Sequence, residues 1–191
     1  NMNAQAAFGT GCTTGYVDDA SQHYGQLKGG SLFSKGQFYG AGPSDTRTQV
    51  KVFHIEGFWG ERWDRLAGLI YENGVWKAKM TGEGGYNLTG AGYTAVCHGV
   101  PHSGTDSFWG WQKEVKQTEF GRFPVGELTG GDQSYEADYH WVNNHITAVC
   151  LAGAACADGS GCGPRDLGAA SVAGAAWWGL GASLSLVGPS L

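Results

Sequence analysis

Three observations predict a fold of many short strands and few helices. No stretch sustains the 3.6-residue apolar period of an amphipathic helix. Apolar and polar residues alternate instead over short runs such as Val75 to Met80 and Ser134 to Val142. Glycine supplies 34 of 191 residues with no period of three, so it serves turns, bulges and close backbone approaches.

The elements follow in order. Residues 1–48, rich in Gly, Ser and Gln, read as an irregular N-terminal arm with one or two short strands near Leu32-Phe33 and Phe38-Tyr39. The main domain is expected over 49–191, opening on an alternating strand from Val50 to Ile55. Phe58-Trp59 and Trp63 crowd three large rings together and form a packing nucleus. Leu66 to Tyr71 and Val75 to Met80 flank Asn73-Gly74, the signature of a two-residue type I′ hairpin, whose central residues both need positive φ. Val75, Lys77 and Lys79 would face water; Trp76, Ala78 and Met80 would face the core. A Gly-rich stretch from Thr81 to Gly104 carries a formal glycosylation sequon at Asn87-Leu88-Thr89, best explained by chance. Trp109-Gly110-Trp111 begins a packed segment, and Glu119 to Leu128 reads as a turn and short strand around Pro124. Ser134 to Val142 alternates as a strand, Asn143-Asn144 turns the chain, and Ile146 to Leu151 is an apolar strand.

Composition narrows the function. A net charge of −5 and no basic patch argue against nucleic-acid binding. The most apolar run, Ala169 to Val187, is interrupted by Gly and Ser and lacks flanking basic anchors, so membrane insertion is not expected. Asn1-Met2-Asn3 opens with no charged n-region and apolar h-region, so no signal peptide is expected here. The five cysteines, Cys12, Cys97, Cys150, Cys156 and Cys162, include the spacing C-x5-C-x5-C, which fits no zinc pattern; scattered, mostly buried thiols are expected, with room for one disulfide. His98 with His102, and His140 with His145, lack a third ligand, so no metal or other cofactor is expected. Glu136 and Asp138 share a strand face, which a solvated face or charged turn explains as well as acid–base chemistry does. Gly82 to Gly85 lacks the lysine of a phosphate loop, and Ser103 sits in no nucleophile elbow. Nothing reaches a catalytic constellation, and no enzyme activity is expected.

The tail beyond Leu151 is dominated by Ala and Gly, with Asp158, Arg165 and Asp166 as its charged residues. Small residues form an apparently fixed frame around positions of no consistent chemistry. A frame with arbitrary inserts suits a display surface better than an active site.

That frame resembles a known family. The segment Tyr135 to Asn144, then Ala152-Gly153, Gly159, Cys162-Gly163-Pro164, Leu167-Gly168-Ala169-Ala170-Ser171 and Trp178-Gly179-Leu180-Gly181-Ala182-Ser183-Leu184-Ser185 are similar to the variable proteins of diversity-generating retroelements, in their phage and archaeal-virus versions. Val52 to Gly60 and Gly68-Leu69-Ile70 extend the likeness upstream, over about residues 50–187. Ala152 departs from the family's usual glycine, and a tryptophan usual after that pair is missing. In the family, adenine-directed mutagenesis turns AAC or AAT codons into NNY, which excludes Lys, Glu, Gln, Met and Trp; Trp177 is therefore frame or another codon class. The resemblance implies an α+β, C-type-lectin-like fold with a variable region at about 148–187. The ligand-binding variable positions it implies are Ala155, Cys156, Asp158, Ser160, Gly161, Arg165, Asp166, Gly168, Val172, Gly174 and Gly179. Their side chains are expected on a rigid surface outside the core, where substitution costs less than about 0.5 kcal/mol, with Trp178 and Leu184 anchoring the frame. Because most of these positions hold Ala, Gly or Ser, few binding anchors are expected in this variant.

The function implied is ligand or receptor binding: a protein or glycan on a host or target surface, contacted by a protein on the virion surface (tail fibre or tip) or on a cell surface, without calcium. Homo-oligomerisation through residues 1–48 fits such a class, since multivalency raises avidity. The alternatives are a secreted pore-former or toxin using the Gly/Ala tail, and an enzyme akin to formylglycine-generating oxidases using Cys156 and Cys162.

Overall fold

The computed structural model describes residues 7–11, 30–42, 44, 48–80, 84–131, 138–177 and 179–181, without the side chains of Cys156, Ala157 and Ser160. In chain order the strands are β1 (Phe38–Tyr39), β2 (Lys51–Val52), β3 (Ile55–Glu56), β4 (Trp63–Glu72), β5 (Val75–Ala78), β6 (Thr94–His98), β7 (Phe108–Trp111), β8 (Glu114–Thr118), β9 (Gly121–Val125), β10 (Tyr139–Val142), β11 (Thr147–Ala152), β12 (Leu167–Ser171) and β13 (Leu180–Gly181). Helix is confined, among the described residues, to Ala7-Phe8 and a short 3-10 segment, Cys156–Gly161. The many short strands are as the sequence predicts. The helical half of an α+β fold does not appear in the described residues, because no segment there carries a helical apolar stripe to bury.

The β4–β5 hairpin turns at Asn73 (φ 49°) and Gly74 (φ 78°), with Glu72 paired to Val75, as a type I′ turn requires. Trp76 and Ala78 are buried, whereas Met80 is 67% exposed, against expectation. The ladder stops at Ala78, and Lys79 N–H to the Gly68 carbonyl (2.8 Å) is the last bond across it, so the alternation no longer governs Met80.

Eight strands form the main sheet, in the order β6-β5-β4-β11-β12-β10-β7, with β13 beside β4. Most neighbours are antiparallel; β10–β12 and β13–β4 are parallel. The central β11 is buried along Ala148-Val149-Cys150-Leu151, as a strand covered on both faces must be. Two cores result. One gathers Tyr71, Trp76, Phe123, Val142 and Cys150; the other gathers Val50, Trp59, Trp63, Leu151 and Cys162. The packing nucleus at Trp59 and Trp63 is thus present. Cys97 and Cys150 are buried free thiols and Cys162 is fully buried, as expected of scattered cysteines. Cys12 lies outside the described residues.

The strand expected from Val50 to Ile55 is instead a second hairpin. β2 and β3 pair through Val52 and Ile55 across Phe53 (φ 48°) and His54 (φ 71°), both left-handed. No turn-forming residue announces it. Tertiary contacts hold it: the Phe38 ring meets Phe53 edge-on at 4.7 Å, and His54 N–H reaches the Gln37 carbonyl. Left-handed backbone costs an L-residue roughly 1–2 kcal/mol. His54→Gly is therefore expected to stabilise the protein by roughly 0.5–1 kcal/mol, after glycine's extra unfolded-state entropy is subtracted. Urea unfolding checks this; an unchanged or lower midpoint would refute it.

Described parts of residues 1–48 pack onto the domain. Phe8 meets Trp59 edge-on, the Trp59 indole N–H donates to the Gly9 carbonyl (3.1 Å), and the buried Lys51 ammonium donates to the carbonyls of Leu32 (2.7 Å) and Lys35 (3.1 Å). The Glu56 carboxylate receives the amides of Gly30 and Leu32. At Leu32-Phe33 the chain is a turn; at Phe38-Tyr39 it is β1. The region from Glu119 also differs in extent: β9 pairs with an additional strand, β8, to make a separate hairpin, with Pro124 opposite Val115.

Asn143-Asn144 makes the predicted turn and also pins the structure. The Tyr71 hydroxyl donates to Asn144 Oδ1 (2.7 Å), and Asn144 Nδ2 donates to the carbonyls of Val100 (2.8 Å) and His102 (3.3 Å). The sequon asparagine is occupied too: its Oδ1 receives the amides of Thr89 and Ala91 and the Thr89 hydroxyl. No helix among the described residues is long and apolar enough to cross a membrane.

A tryptophan-walled hollow as candidate functional site

Alternation along β10 puts Tyr139 and Trp141 on one face, and their antiparallel partners on β7, Trp111 and Trp109, join them there. Ring centroids lie 5.2 Å apart for Trp111–Tyr139 and 5.3 Å for Trp109–Trp141. On its other side Trp141 faces Gly168 of β12, in parallel register. A Cβ on Gly168 would sit 3.2 Å from the Trp63 ring, so glycine there lets Trp63 lie close against the strand. Trp177 arrives from the turn after β12, which Arg65 holds by donating to the carbonyls of Ala173 (3.2 Å) and Ala175.

These pieces enclose a hollow of about 300 Å³. Its walls are Trp63, Trp141 and Trp177. Leu151, Ala155, Gly168 and Ala170 supply its apolar floor, and Asp158 and Ser171 its polar side chains. The Asp158 carboxylate accepts the Ala155 amide (2.8 Å) and a side-chain hydrogen bond from Trp63. Burial raises its pKa, partly offset by those two bonds.

The eleven positions implied by the resemblance divide. Ala155, Asp158 and Gly168 line the hollow together. Gly179 adjoins it, since a Cβ there would approach Trp177 Nε1 and lie 3.4 Å from the Ala155 Cβ. Val172 is half-exposed, and Gly174 faces open space. Arg165 is intermediate in exposure and Asp166 is buried, both apart from the hollow; Gly161 lies against the Tyr139 ring. Cys156 and Ser160 sit in the 3-10 segment, their side chains outside the described residues. The expectation of side chains outside the core therefore fails at Ala155, Gly161, Asp166, Gly168 and Gly179, which are buried. For Gly168 the reason is topological: β12 lies inside the sheet, between β11 and β10. Beside these positions the hollow is lined by tryptophans outside the variable list, Trp63, Trp141 and Trp177. Trp178 and Leu184 lie outside the described residues.

Several frame positions have packing reasons. Gly153 needs φ 89°, and a Cβ there would meet the Phe58 carbonyl at 3.2 Å. Cys162 is fully buried with its thiol 3.2 Å from the Ala155 carbonyl, and Ala169 is fully buried.

Behind the β10 wall lies a buried polar group. His140 donates from Nε2 to Gln112 Oε1 (2.7 Å) and accepts the Leu167 amide at Nδ1 (3.3 Å), which fixes a neutral imidazole; burial pulls its pKa down to about 3. Burial pushes Asp138 up to about 6, against the pull of Arg165. Asp166 is raised by burial and then by Asp158 and Asp138, and neither of its carboxylate oxygens has a hydrogen-bond partner. The remaining carboxylate of the pair read from sequence, Glu136, lies outside the described residues. Among those residues no three His, Cys, Asp or Glu side chains group as metal ligands.

The convergence of Trp63, Trp141 and Trp177 was missed from sequence. Trp63 reads as core, and the alternation of Tyr139 with Trp141 was the available signal that a face was being built. Comparison with family models, curated proteins and solved structures finds no match in any of the three.

Proposed function

We propose that this chain is a diversified ligand- or receptor-binding protein of the retroelement type, with a C-type-lectin-like scaffold, which attaches a virus to its host. One observation carries this reading: three dispersed positions implied as variable, Ala155, Asp158 and Gly168, converge on one aromatic hollow. Mostly apolar concavities with a few placed polar groups are what ligand sites look like. At Ala155 and Asp158 a small residue deepens the hollow and a large one fills it, whereas any side chain at Gly168 presses on the Trp63 ring, so rewriting these codons changes the shape of the hollow. Gly153, Cys162 and Ala169, which the resemblance assigns to the frame, have packing reasons to stay constant, although Gly168 among the inserts has one as well.

The DNA around the gene tests this reading. A near-copy of its 3′ end that differs at adenines, beside a reverse-transcriptase gene, is expected, with the differing codons including those for Ala155, Asp158 and Gly168. A gene without such a repeat or reverse transcriptase would overturn it.

A further inference from the structure

We propose that the tryptophan-walled hollow takes an organic cation on an alkyl stem, the side chain of a lysine or arginine on a protein partner. The inference rests on the reading of this hollow as the ligand site and adds the chemistry of what enters it.

The argument is charge and shape. Three indoles wall the space, and an indole face attracts a cation through its quadrupole, most strongly where water is excluded. Among the described residues, Asp158 is the one charged side chain of the lining. Its carboxylate is already fixed by the Ala155 amide and the Trp63 side chain. Asp158 acts electrostatically on the buried Asp166, which places a second carboxyl group near it in a chain of net charge −5. Arg65, which holds the turn before Trp177, is directed onto the carbonyls of Ala173 and Ala175. A neutral ligand would desolvate the Asp158 carboxylate further and leave its charge with only the Ala155 and Trp63 hydrogen bonds, and an anion would meet it directly. A stem carrying a terminal cation places its methylenes against Leu151, Ala155 and Ala170 and its charge between indoles and carboxylate.

The test measures binding of small probes to the intact chain by the indole N–H signals of its tryptophans. Butylguanidinium and butylammonium are compared with their neutral counterparts, butylurea and butanol, and with methyl glycosides. At least one cation is expected to bind tenfold or more tightly than its neutral counterpart. Asp158→Asn, which retains an acceptor for the Ala155 amide, is expected to erase that preference while the neutral probes bind as before. Trp177→Ala, at an outer and partly exposed wall, is expected to weaken every probe. Equal binding of cation and neutral counterpart, a preference unaltered in Asp158→Asn, or binding of glycosides in place of cations would each overturn the inference. Its fate is separate from that of the retroelement reading: a gene with the adenine-marked repeat and a hollow without cation preference would refute this inference alone. A cation-selective hollow in a gene lacking the repeat would refute that reading alone.

Discussion

Asp138→Asn is expected to raise stability at pH 7 by up to about 3 kcal/mol, and the gain is expected to vanish below about pH 4. Asp138 titrates at about 6 in the folded protein against 3.8 for an unperturbed aspartate. A folded value above the unfolded one means that the native state holds a proton more tightly. Its penalty is absent below pH 3.8, grows as pH rises and is complete above about 6. About two pKa units correspond to roughly 3 kcal/mol, an upper figure because the variant also gives up the attraction of Arg165. His140 acts in the opposite sense. Its folded value, about 3, lies below the ordinary 6.5, so its stabilising contribution is complete above pH 6.5 and is lost as pH falls toward 3. In the parent protein the two effects offset each other between pH 6 and 4. In Asp138→Asn the Asp138 counterweight is gone, and stability should fall more steeply with acid between pH 6 and 4 than in the parent, with His140 adding a slope of up to about 1.4 kcal/mol per pH unit. Urea unfolding of both proteins at pH 7, 5.5 and 4 measures this. A variant no more stable than the parent at pH 7, or one that keeps its advantage at pH 3.5, would contradict it. Asp166→Asn should act in the same direction, since the Asp166 carboxyl is buried with neither oxygen hydrogen-bonded.

Asn144→Ala is expected to cost about 2–4 kcal/mol. The side chain joins three places at once: Tyr71 on β4, Val100 and His102 in the segment after β6, and the turn between β10 and β11. Truncation leaves the hydroxyl of the fully buried Tyr71 and the Val100 carbonyl without this partner, each worth about 1–3 kcal/mol when unsatisfied. The midpoint of thermal unfolding should drop by roughly 5–15 °C. Tyr71→Phe should cost less, because it removes one hydroxyl and leaves Asn144 its carbonyl acceptors. In the double variant the losses should be less than additive. Additive losses, or a drop under about 2 °C in Asn144→Ala, would show that the pin is not energetically real.

How far the structure could be read from sequence depended on whether the cause was local. The Asn73-Gly74 turn was legible because both residues readily adopt the backbone that the turn demands. Phe53-His54 makes a similar turn without such residues, and only its packing against Phe38 and Gln37 accounts for it. The alternation that buries Trp76 and Ala78 was legible; the end of the ladder that exposes Met80 was not, since it depends on the Gly68 contact across the hairpin. At the site, Ala155, Asp158 and Gly168 entered through resemblance to a frame of small residues. The wall they share did not, because Trp141 reaches Gly168 by a parallel register between distant strands, and Trp177 is placed by Arg65 from over a hundred residues away.

The pairing at the start of β4 has one more consequence. Ala152, at the end of β11, pairs with Asp64, and Leu180 of β13 pairs with Trp63 beside it. Everything between, including the hollow's Ala155, Asp158, Gly168 and Trp177, leaves and returns at adjacent points of a single strand. Such an excursion is a closed path, held midway as well, because β12 runs inside the sheet between β11 and β10. Its length can change only in the stretches outside β12, where doubling a flexible stretch costs about 0.6 kcal/mol. A continuous block of the gene therefore encodes both the lining of the hollow and an inner strand of the sheet, so its exchange between scaffolds requires β10 and β11 to be kept in register along with the two receiving positions.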